Sequence, residues 1–374
     1  MSNALILLLF LTALLYTLLI LSFALALARI TQSRRILPVP APFVSVIVAM
    51  RNESQHISAL IMHLKQQAYP SDCYEVILSD DFSEDDTVML AQKYMAANMK
   101  IIVSAEGDLP GKKGAQARAL TQARGEILLF TDADCTMGHQ WIKTMVQAMD
   151  TQTAMVAGPV ILKAQPGVLF QKLQTLEFLS LQGSTAGAMA LGKPIMCNGA
   201  NLAVCRDEWE KAKLKIEGQQ RSSGDDIFLM HALQKFSAKK IRFVWERDAV
   251  VSTCASPDWR AFFGQRSRWA AKSTSYTNGF TLITGAIVAL FNLSLLVAAM
   301  AAPWITHGGQ ILAIVFAIKC MADLPLMLQS ATFFQLRKIM WGYVPLQLIY
   351  PAYVSLTLLL AFARAGRWKN RKIY

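Results

Sequence analysis

Residues 126–135 read EILLFTDADC, an apolar run that ends in two aspartates separated by one alanine. A short apolar run of this kind predicts a buried strand over 126–131, with carboxylates waiting at its end. The same pattern recurs upstream. VSVIVAM at 44–50, YEVILS at 74–79 and a shorter run at 100–104 predict three more strands. Between them, 56–67, 85–97 and 113–123 carry helical periodicity. Strands that alternate with helices predict an α/β domain built on a mostly parallel sheet. In such sheets ligands sit outside the carboxyl ends of the strands. The polar residues just after each strand are therefore the ones to read for chemistry.

Outside this region the chain changes character. Of 374 residues, 54% are hydrophobic and 17% are charged, against about 25% charged in an ordinary soluble domain. Residues 1–28 and 273–306 carry no charge, and each run exceeds the roughly 20 residues that a membrane-spanning helix needs. The first run is too long for a signal-peptide core and has no basic segment before it. The expected organisation is a transmembrane helix over 1–30, a Pro-rich linker over 31–42 with Pro38, Pro40 and Pro42, and a globular domain over 43–275. A membrane region over 276–364 then holds about three hydrophobic segments (280–304, 310–332 and 340–363), and a basic tail covers 365–374.

Arg29, Arg34 and Arg35 follow the first span, which places the globular domain in the cytosol by the positive-inside rule. Three further crossings would put the tail outside, yet the five basic residues from Arg364 to Lys372 favour the inside. The expected location is a multi-pass membrane protein, in the inner or plasma membrane if the source is bacterial. Lys319 and Asp323, four apart in the middle C-terminal segment, share a helix face as an ion pair. Such a pair is either structural or a functional group facing other helices.

The net charge is +12, but residues 258–374 supply +10 of it, from twelve basic and two acidic residues. The globular domain is nearly balanced. This argues against nucleic acid as a partner and favours contact with anionic lipid head groups. Six cysteines are scattered without a CxxC pair, which fits neither a zinc site nor a disulfide framework and suits a reducing compartment.

Three carboxylate clusters follow predicted strands or open predicted helices. Asp80 and Asp81, in SDDFSEDDT at 79–87, stand at a strand end, where a carboxylate accepts hydrogen bonds from a base or sugar. A helix start explains the segment as well, since Ser83 and Asp86 have capping-box spacing. Asp132 and Asp134 are two apart; on an extended strand they point the same way and suit a hard divalent cation, Mg²⁺ or Mn²⁺. An Asp-rich turn is the plainer alternative. Asp225 and Asp226, in RSSGDDIFLMHAL at 221–233, read either as helix capping or as a general base. Finally, QRSRW at 265–269 offers Arg268 for phosphate oxygens, or an ordinary interfacial belt of Arg and Trp.

In order, VSVIVAMRNE, SDDFSEDDT, GKKGAQARAL, TDADC, NGAN, GDD and QxxRW resemble the membrane-bound family 2 glycosyltransferases over about residues 43–270. The flanking spans are similar to those of ceramide glucosyltransferases and, more distantly, of hyaluronan and cellulose synthases. The resemblance implies a GT-A fold, an α/β domain flanked by transmembrane helices, and a nucleotide-diphosphate sugar donor, a UDP-sugar first of all. It places Asp80 or Asp81 at the nucleotide, Asp132 near the ribose and Asp134 on the divalent cation. Asp226 is implied as catalytic base, although Asp225 stands where Glu is usual, which leaves open which of the pair acts. Gln265, Arg268 and Trp269 are implied at the diphosphate and the acceptor. Lys112, Lys113 and Asn198 carry over to the donor and acceptor pockets.

A membrane anchor suits a lipid acceptor. Residues 168–190, apolar but interrupted by Lys172 and Glu177, predict either an amphipathic helix lying on the bilayer or a buried core helix. Transfer of one sugar to a lipid is the leading expectation. A processive polysaccharide synthase and a catalytically inactive nucleotide-binding scaffold are the alternatives.

Overall fold

The computed structural model describes residues 2–30, 37, 40–215, 225–273, 275–363, 367–368 and 371–372. Arg34, Arg35 and Pro38, on which the linker and orientation readings rest, lie outside the described residues, as does much of the basic tail. The chain divides into two compact units. One comprises Thr31–Lys163 and Met196–Cys254, the other Met1–Ile30, Ala164–Ile195 and Ala255–Tyr374.

The first unit is the α/β one. Its strands are β1 (Val44–Met50), β2 (Tyr74–Asp80), β3 (Met99–Ile102), β4 (Ile127–Asp132), β5 (Thr136–Met137), β6 (Thr153–Ala157), β7 (Val160–Lys163), β8 (Leu202–Cys205), β9 (Lys240–Phe243) and β10 (Val251–Cys254). Its helices are α2 (Ile57–Lys65), α3 (Thr87–Tyr94), α4 (Lys112–Gln122), α5 (Trp141–Gln147), α7 (Arg206–Lys213) and α8 (Asp225–Phe236). Seven strands form one sheet in the order β3-β2-β1-β4-β8-β6-β9. The pairs β1–β2, β1–β4, β2–β3 and β6–β9 are parallel, and β8 runs antiparallel to both its neighbours. A smaller sheet has the order β5-β10-β7.

The predicted strands are real, and the reason is burial on both faces. Val46, Ile47 and Val48 of β1 and Leu128 and Leu129 of β4 are fully buried, as is every residue of β2. Consecutive apolar residues are stable in a strand only when helices cover both sides. Because β1, β2 and β4 are parallel, the segments after Met50, Asp80 and Asp132 all leave the same edge of the sheet.

The second unit is helical: α1 (Ser2–Ala28), α6 (Leu169–Ala190), α9 (Trp259–Ser273), α10 (Gly279–Ala301), α11 (Gly308–Phe333) and α12 (Tyr343–Ala363). Four stretches here are long and apolar enough to cross a membrane: Asn3–Ala28, Gly279–Trp304, Gly308–Phe333 and Arg337–Leu360. Residues 164–195 and 255–275, assigned from the sequence to the globular domain, belong to this unit, because α6 packs on α1 and α11 while α9 packs on α12. Helix α6 is largely buried against the protein: Gln171, Gln174, Thr175 and Glu177 are all at least 95% buried. Gly187 permits its approach to α1, since a Cβ there would lie 2.4 Å from the Phe23 carbonyl oxygen.

Lys319 and Asp323 form a closed network in this unit. Lys319 Nζ donates to Asp323 Oδ2 at 2.8 Å and to Gln347 Oε1. Asp323 also accepts from Tyr16 Oη and Gln347 Nε2, both at 2.8 Å. The network ties α1, α11 and α12 together and satisfies both charges, as a structural pair must inside apolar surroundings.

Candidate active site

The carboxyl edge of β1, β2 and β4 is held by two arginines, Arg51 in VSVIVAMRNE and Arg118 in GKKGAQARAL, that were not singled out as site residues. Arg51, directly after β1 and 5% exposed, donates from Nη1 to the carbonyls of Asp81 (2.6 Å) and Phe82 (3.0 Å). Phe82 and Asn52 adopt left-handed φ angles of 55° and 51°, a costly conformation for side-chain-bearing residues. Arg51 holds the first, and Asn52 is held by bonds to Ser83 and Glu84. Arg118 of α4 donates from Nη2 to the Asp80 carbonyl (2.6 Å) and Ser104 Oγ (2.7 Å), and from Nη1 to the Leu109 carbonyl (3.1 Å). These guanidiniums fix the loops by filling carbonyls, and each also pairs with a carboxylate, Arg51 with Glu84 at 3.2 Å and Arg118 with Asp108 at 3.5 Å.

Asp80 and Asp81 are both buried but differ in use. Asp81 Oδ1 accepts the Gly111 N–H at 2.6 Å, which anchors the entry to α4. Gly114 lets that entry fold, because a Cβ there would meet the Leu109 carbonyl oxygen at 1.8 Å. Asp80 Oδ2 accepts the Ser83 N–H at 3.1 Å, while Asp80 Oδ1 is buried with no hydrogen-bond partner. A buried carboxylate oxygen without a donor is costly and marks a place for a ligand N–H or O–H. The capping-box reading of Ser83 and Asp86 fails: α3 starts at Thr87, and no side chain caps it. Asp85 does the local work instead, accepting from Ser54 and Thr87. Burial opposes its ionisation, but those bonds win and hold its pKa at about 2.

Asp132 ends β4, and Asp134 lies in the turn after it. The expectation that both sit on an extended strand and point the same way is therefore wrong, because the chain bends at Ala133. They act in one electrostatic field all the same. Burial first, then the Asp132 charge, push the Asp134 carboxyl above its ordinary range, with a smaller push from Glu53. Thr253 Oγ1 of β10 opposes this by donating to Asp134 Oδ2 at 2.9 Å.

Lys112, the first residue of α4, donates to Asp132 Oδ1 at 2.5 Å. Burial alone would lower its pKa; Asp132, with Asp226 and Asp134 behind it, raises it instead. Lys112 thus pairs with one carboxylate and feels the charge of two more. Lys113 lies on a different flank of α4, in the wall of a cleft that also contains Asp226.

Asp226 stands in the first turn of α8. Its Oδ2 accepts the Gly199 N–H at 2.9 Å, and its Oδ1 accepts the Ile227 N–H at 2.9 Å. The Asp225 side chain lies outside the described ones. Asn198 spends its amide oxygen on the Ala200 N–H at 3.0 Å, which shapes the turn that presents Gly199. Asn201, fully buried, bonds the carbonyls of Pro159 and Ala249 and accepts from Trp141 Nε1, so it braces the sheet and does not wall a pocket.

Gln265, Arg268 and Trp269 lie on α9, in the helical unit. Burial lowers the Arg268 pKa without depriving it of its charge at neutral pH. The residue between them, Arg266, escaped the sequence reading. It is 3% exposed, pairs with Glu177 of α6, and lies 4.2 Å from the Trp269 ring. Tyr353 Oη donates to the other Glu177 oxygen at 3.2 Å.

A divalent cation was expected on Asp134. Among the described residues, no three His, Cys, Asp or Glu side chains converge on one point. Asp132 and Asp134 still suit Mg²⁺ or Mn²⁺, which commonly take one or two carboxylates and complete their shell with water and substrate phosphates. Burial, and then the Asp132 charge, raise the Asp134 pKa, and a cation there would offset both.

Residues 45–212 match the family model described as Glycosyl transferase family 2. Over 120 residues the chain is 32% identical to glycosyltransferase AglE of Haloferax volcanii, covering 32% of this chain and 40% of that protein. Over 109 residues it is 34% identical to the beta-monoglucosyldiacylglycerol synthase of Trichormus variabilis, covering 28% of this chain and 23% of that one. The chain thus spans less than half the length of either relative. The mannosyltransferase PcManGT from Pyrobaculum calidifontis, solved in complex with GDP-Man and Mn²⁺, superposes with a TM-score of 0.58 at 19% identity. That likeness covers 96% of this chain and 99% of that chain, and it is one of fold.

Proposed function

We propose that the chain is an inverting, metal-dependent transferase with a nucleotide-diphosphate sugar donor and a membrane lipid acceptor; the match of residues 45–212 to the family 2 model and the GT-A-like fold support this reading. The observation that carries this reading is the ion pair of Lys112 with Asp132 Oδ1, 2.5 Å apart at the edge where β4 ends.

The roles follow from the chemistry of each group. Asp80, with one buried oxygen unspent, takes an N–H of the nucleotide base, while Asp81 keeps the α4 entry in place. The N-terminus of α4, carrying Lys112 and Lys113, favours the negative diphosphate. Asp134, with Asp132 toward the ribose, holds a divalent cation, which when bound supplies charge for the departing diphosphate. Asp226 takes the proton of the acceptor hydroxyl; that oxygen bonds to the anomeric carbon as the bond to the diphosphate breaks, and attack from the opposite face inverts the centre. The two N–H groups on Asp226 fix its direction.

A lipid acceptor is supported by the four membrane-length helices and by the relative whose name gives a diacylglycerol product. The test is a donor screen on the full chain in lipid vesicles with Mn²⁺, using UDP-glucose, UDP-galactose, UDP-N-acetylglucosamine and GDP-mannose. One donor should yield nucleoside diphosphate together with a new glycolipid. Nucleotide binding without release from any donor would replace the transferase by a scaffold.

A further inference from the structure

We propose that the cleft between α4 and α7 holds the apolar body of the acceptor, an amphiphile whose hydroxyl meets Asp226; this rests on the transferase reading and names the chemistry of its second substrate. The cleft exists because of how the sheet is covered. Helix α4 packs on β1 and β2, while α7 packs on β8 and α8 packs on β6 and β9. Among the described residues, the strip of sheet between them is left as the floor of a cleft. Its floor is Phe130 of β4 and Leu202 of β8, which are register partners across the antiparallel pair.

One wall is a stripe on α4 at positions 113, 116, 117, 120 and 121, the spacing of one helix face. Facing it stand Trp209 of α7 and Leu229 of α8. The volume is about 530 Å³, within the usual range for a small-molecule site. At one end are Gly199 and Asp226, joined by their 2.9 Å hydrogen bond.

Three arguments identify the occupant. Phe130, Leu202, Trp209, Leu229, Ala117 and Leu120 give the cleft an apolar body, which suits a hydrocarbon chain, and the charged side chains add to it a place for polar groups. Asp80, Asp81, Asp132 and Asp134, the groups assigned to the nucleotide and its diphosphate, are all absent from the lining, whereas the base is present. The walls also carry Lys113, Lys213 and Arg206, with Glu210 paired to Lys213. Arg206 spends Nε on the Gly125 carbonyl at 2.6 Å and has an Nη2 without a hydrogen-bond partner. The occupant therefore combines an apolar body with oxygen acceptors.

The test uses palmitic acid bearing a chain-end diazirine as probe, photolysed with the full-length protein in vesicles and mapped by peptide mass spectrometry. Label is expected in peptides of α4 and α7. Ala117→Trp and Thr121→Trp, both at exposed positions one turn apart, should each reduce that label about tenfold by filling the cleft. Two substitutions on an exposed flank guard against one failing to fold. Label absent from α4 and α7, or indifferent to both substitutions, overturns the proposal. Donor turnover by the wild type is measured in parallel. Turnover with indifferent labelling overturns the cleft assignment alone; specific labelling without turnover from any donor overturns the transferase reading alone.

Discussion

Replacing Arg266 by Met tests the packing of the helical unit around α9. Arg266 and Glu177 are 3% and 4% exposed at the side chain, so neither charge has water to fall back on. Removing one partner of a buried ion pair typically costs about 3–5 kcal/mol, because the other charge is left uncompensated. The stack on Trp269, at 4.2 Å, adds about 1 kcal/mol for a desolvated cation over an indole. An unfolding entropy of about 2.1 cal/mol/K per residue over 374 residues gives about 1.3 °C per kcal/mol. Arg266→Met should therefore lower the Tm in detergent micelles by roughly 5 °C, as should Glu177→Gln to a lesser degree. The double variant with Met at both positions should recover most of the loss, since a matched apolar pair carries no stranded charge. Near-additive effects of the two single changes, each within about 1 kcal/mol, would refute the reasoning, because they would mean that water reaches the pair.

Further outcomes follow from the α/β unit. Lys112→Met should cut turnover of the sugar donor by about 10²–10³, the usual cost of one lost charge contact to a leaving group, measured by nucleoside diphosphate release. Chelation should abolish release, with Mn²⁺ restoring it, if Asp132 and Asp134 hold the cation. Asp85→Asn should lower stability at pH 7 by roughly 1 kcal/mol after discounting for exposure. Since folding depresses the Asp85 pKa from 3.8 to about 2, that contribution is present above pH 4 and fades as pH falls toward 2, which denaturation at several pH values would follow. Gly114→Val should disrupt the α4 entry, because even a Cβ collides with the Leu109 carbonyl, and donor binding by calorimetry should fall at least about tenfold.

The legible and the hidden parts of this molecule divide along a physical line. The expected strand at 44–50 coincides with β1, and those at 74–79 and 126–131 fall within a residue of β2 and β4, because full burial writes a continuous apolar run. Strands β6 to β10 have four or five residues each and draw their stability from partners far along the chain; β8 lies between β4 and β6 although α6 separates them in sequence. No local pattern marks such a strand. Within the site, the aspartates were legible because carboxylates at strand ends are conspicuous. Arg51, Arg118 and Arg266 were not. Two of them act on backbone carbonyls, which have no sequence signature, and the third acts on a carboxylate 89 residues away. The placement of Asp134 shows the reverse error: a strand pattern was extended two residues past the end of β4, beyond the bend that gives the carboxylate its partner, Thr253.

The central claim is that Asp226 is the base of a sugar transfer. The most direct measurement is nucleoside diphosphate release from the donor that the screen identifies, in vesicles with Mn²⁺, comparing wild type with Asp226→Asn. Loss of the base should lower kcat by about 10²–10⁴, while the donor still binds. Release that survives the substitution within a factor of about three would contradict the account and move the base away from Asp226.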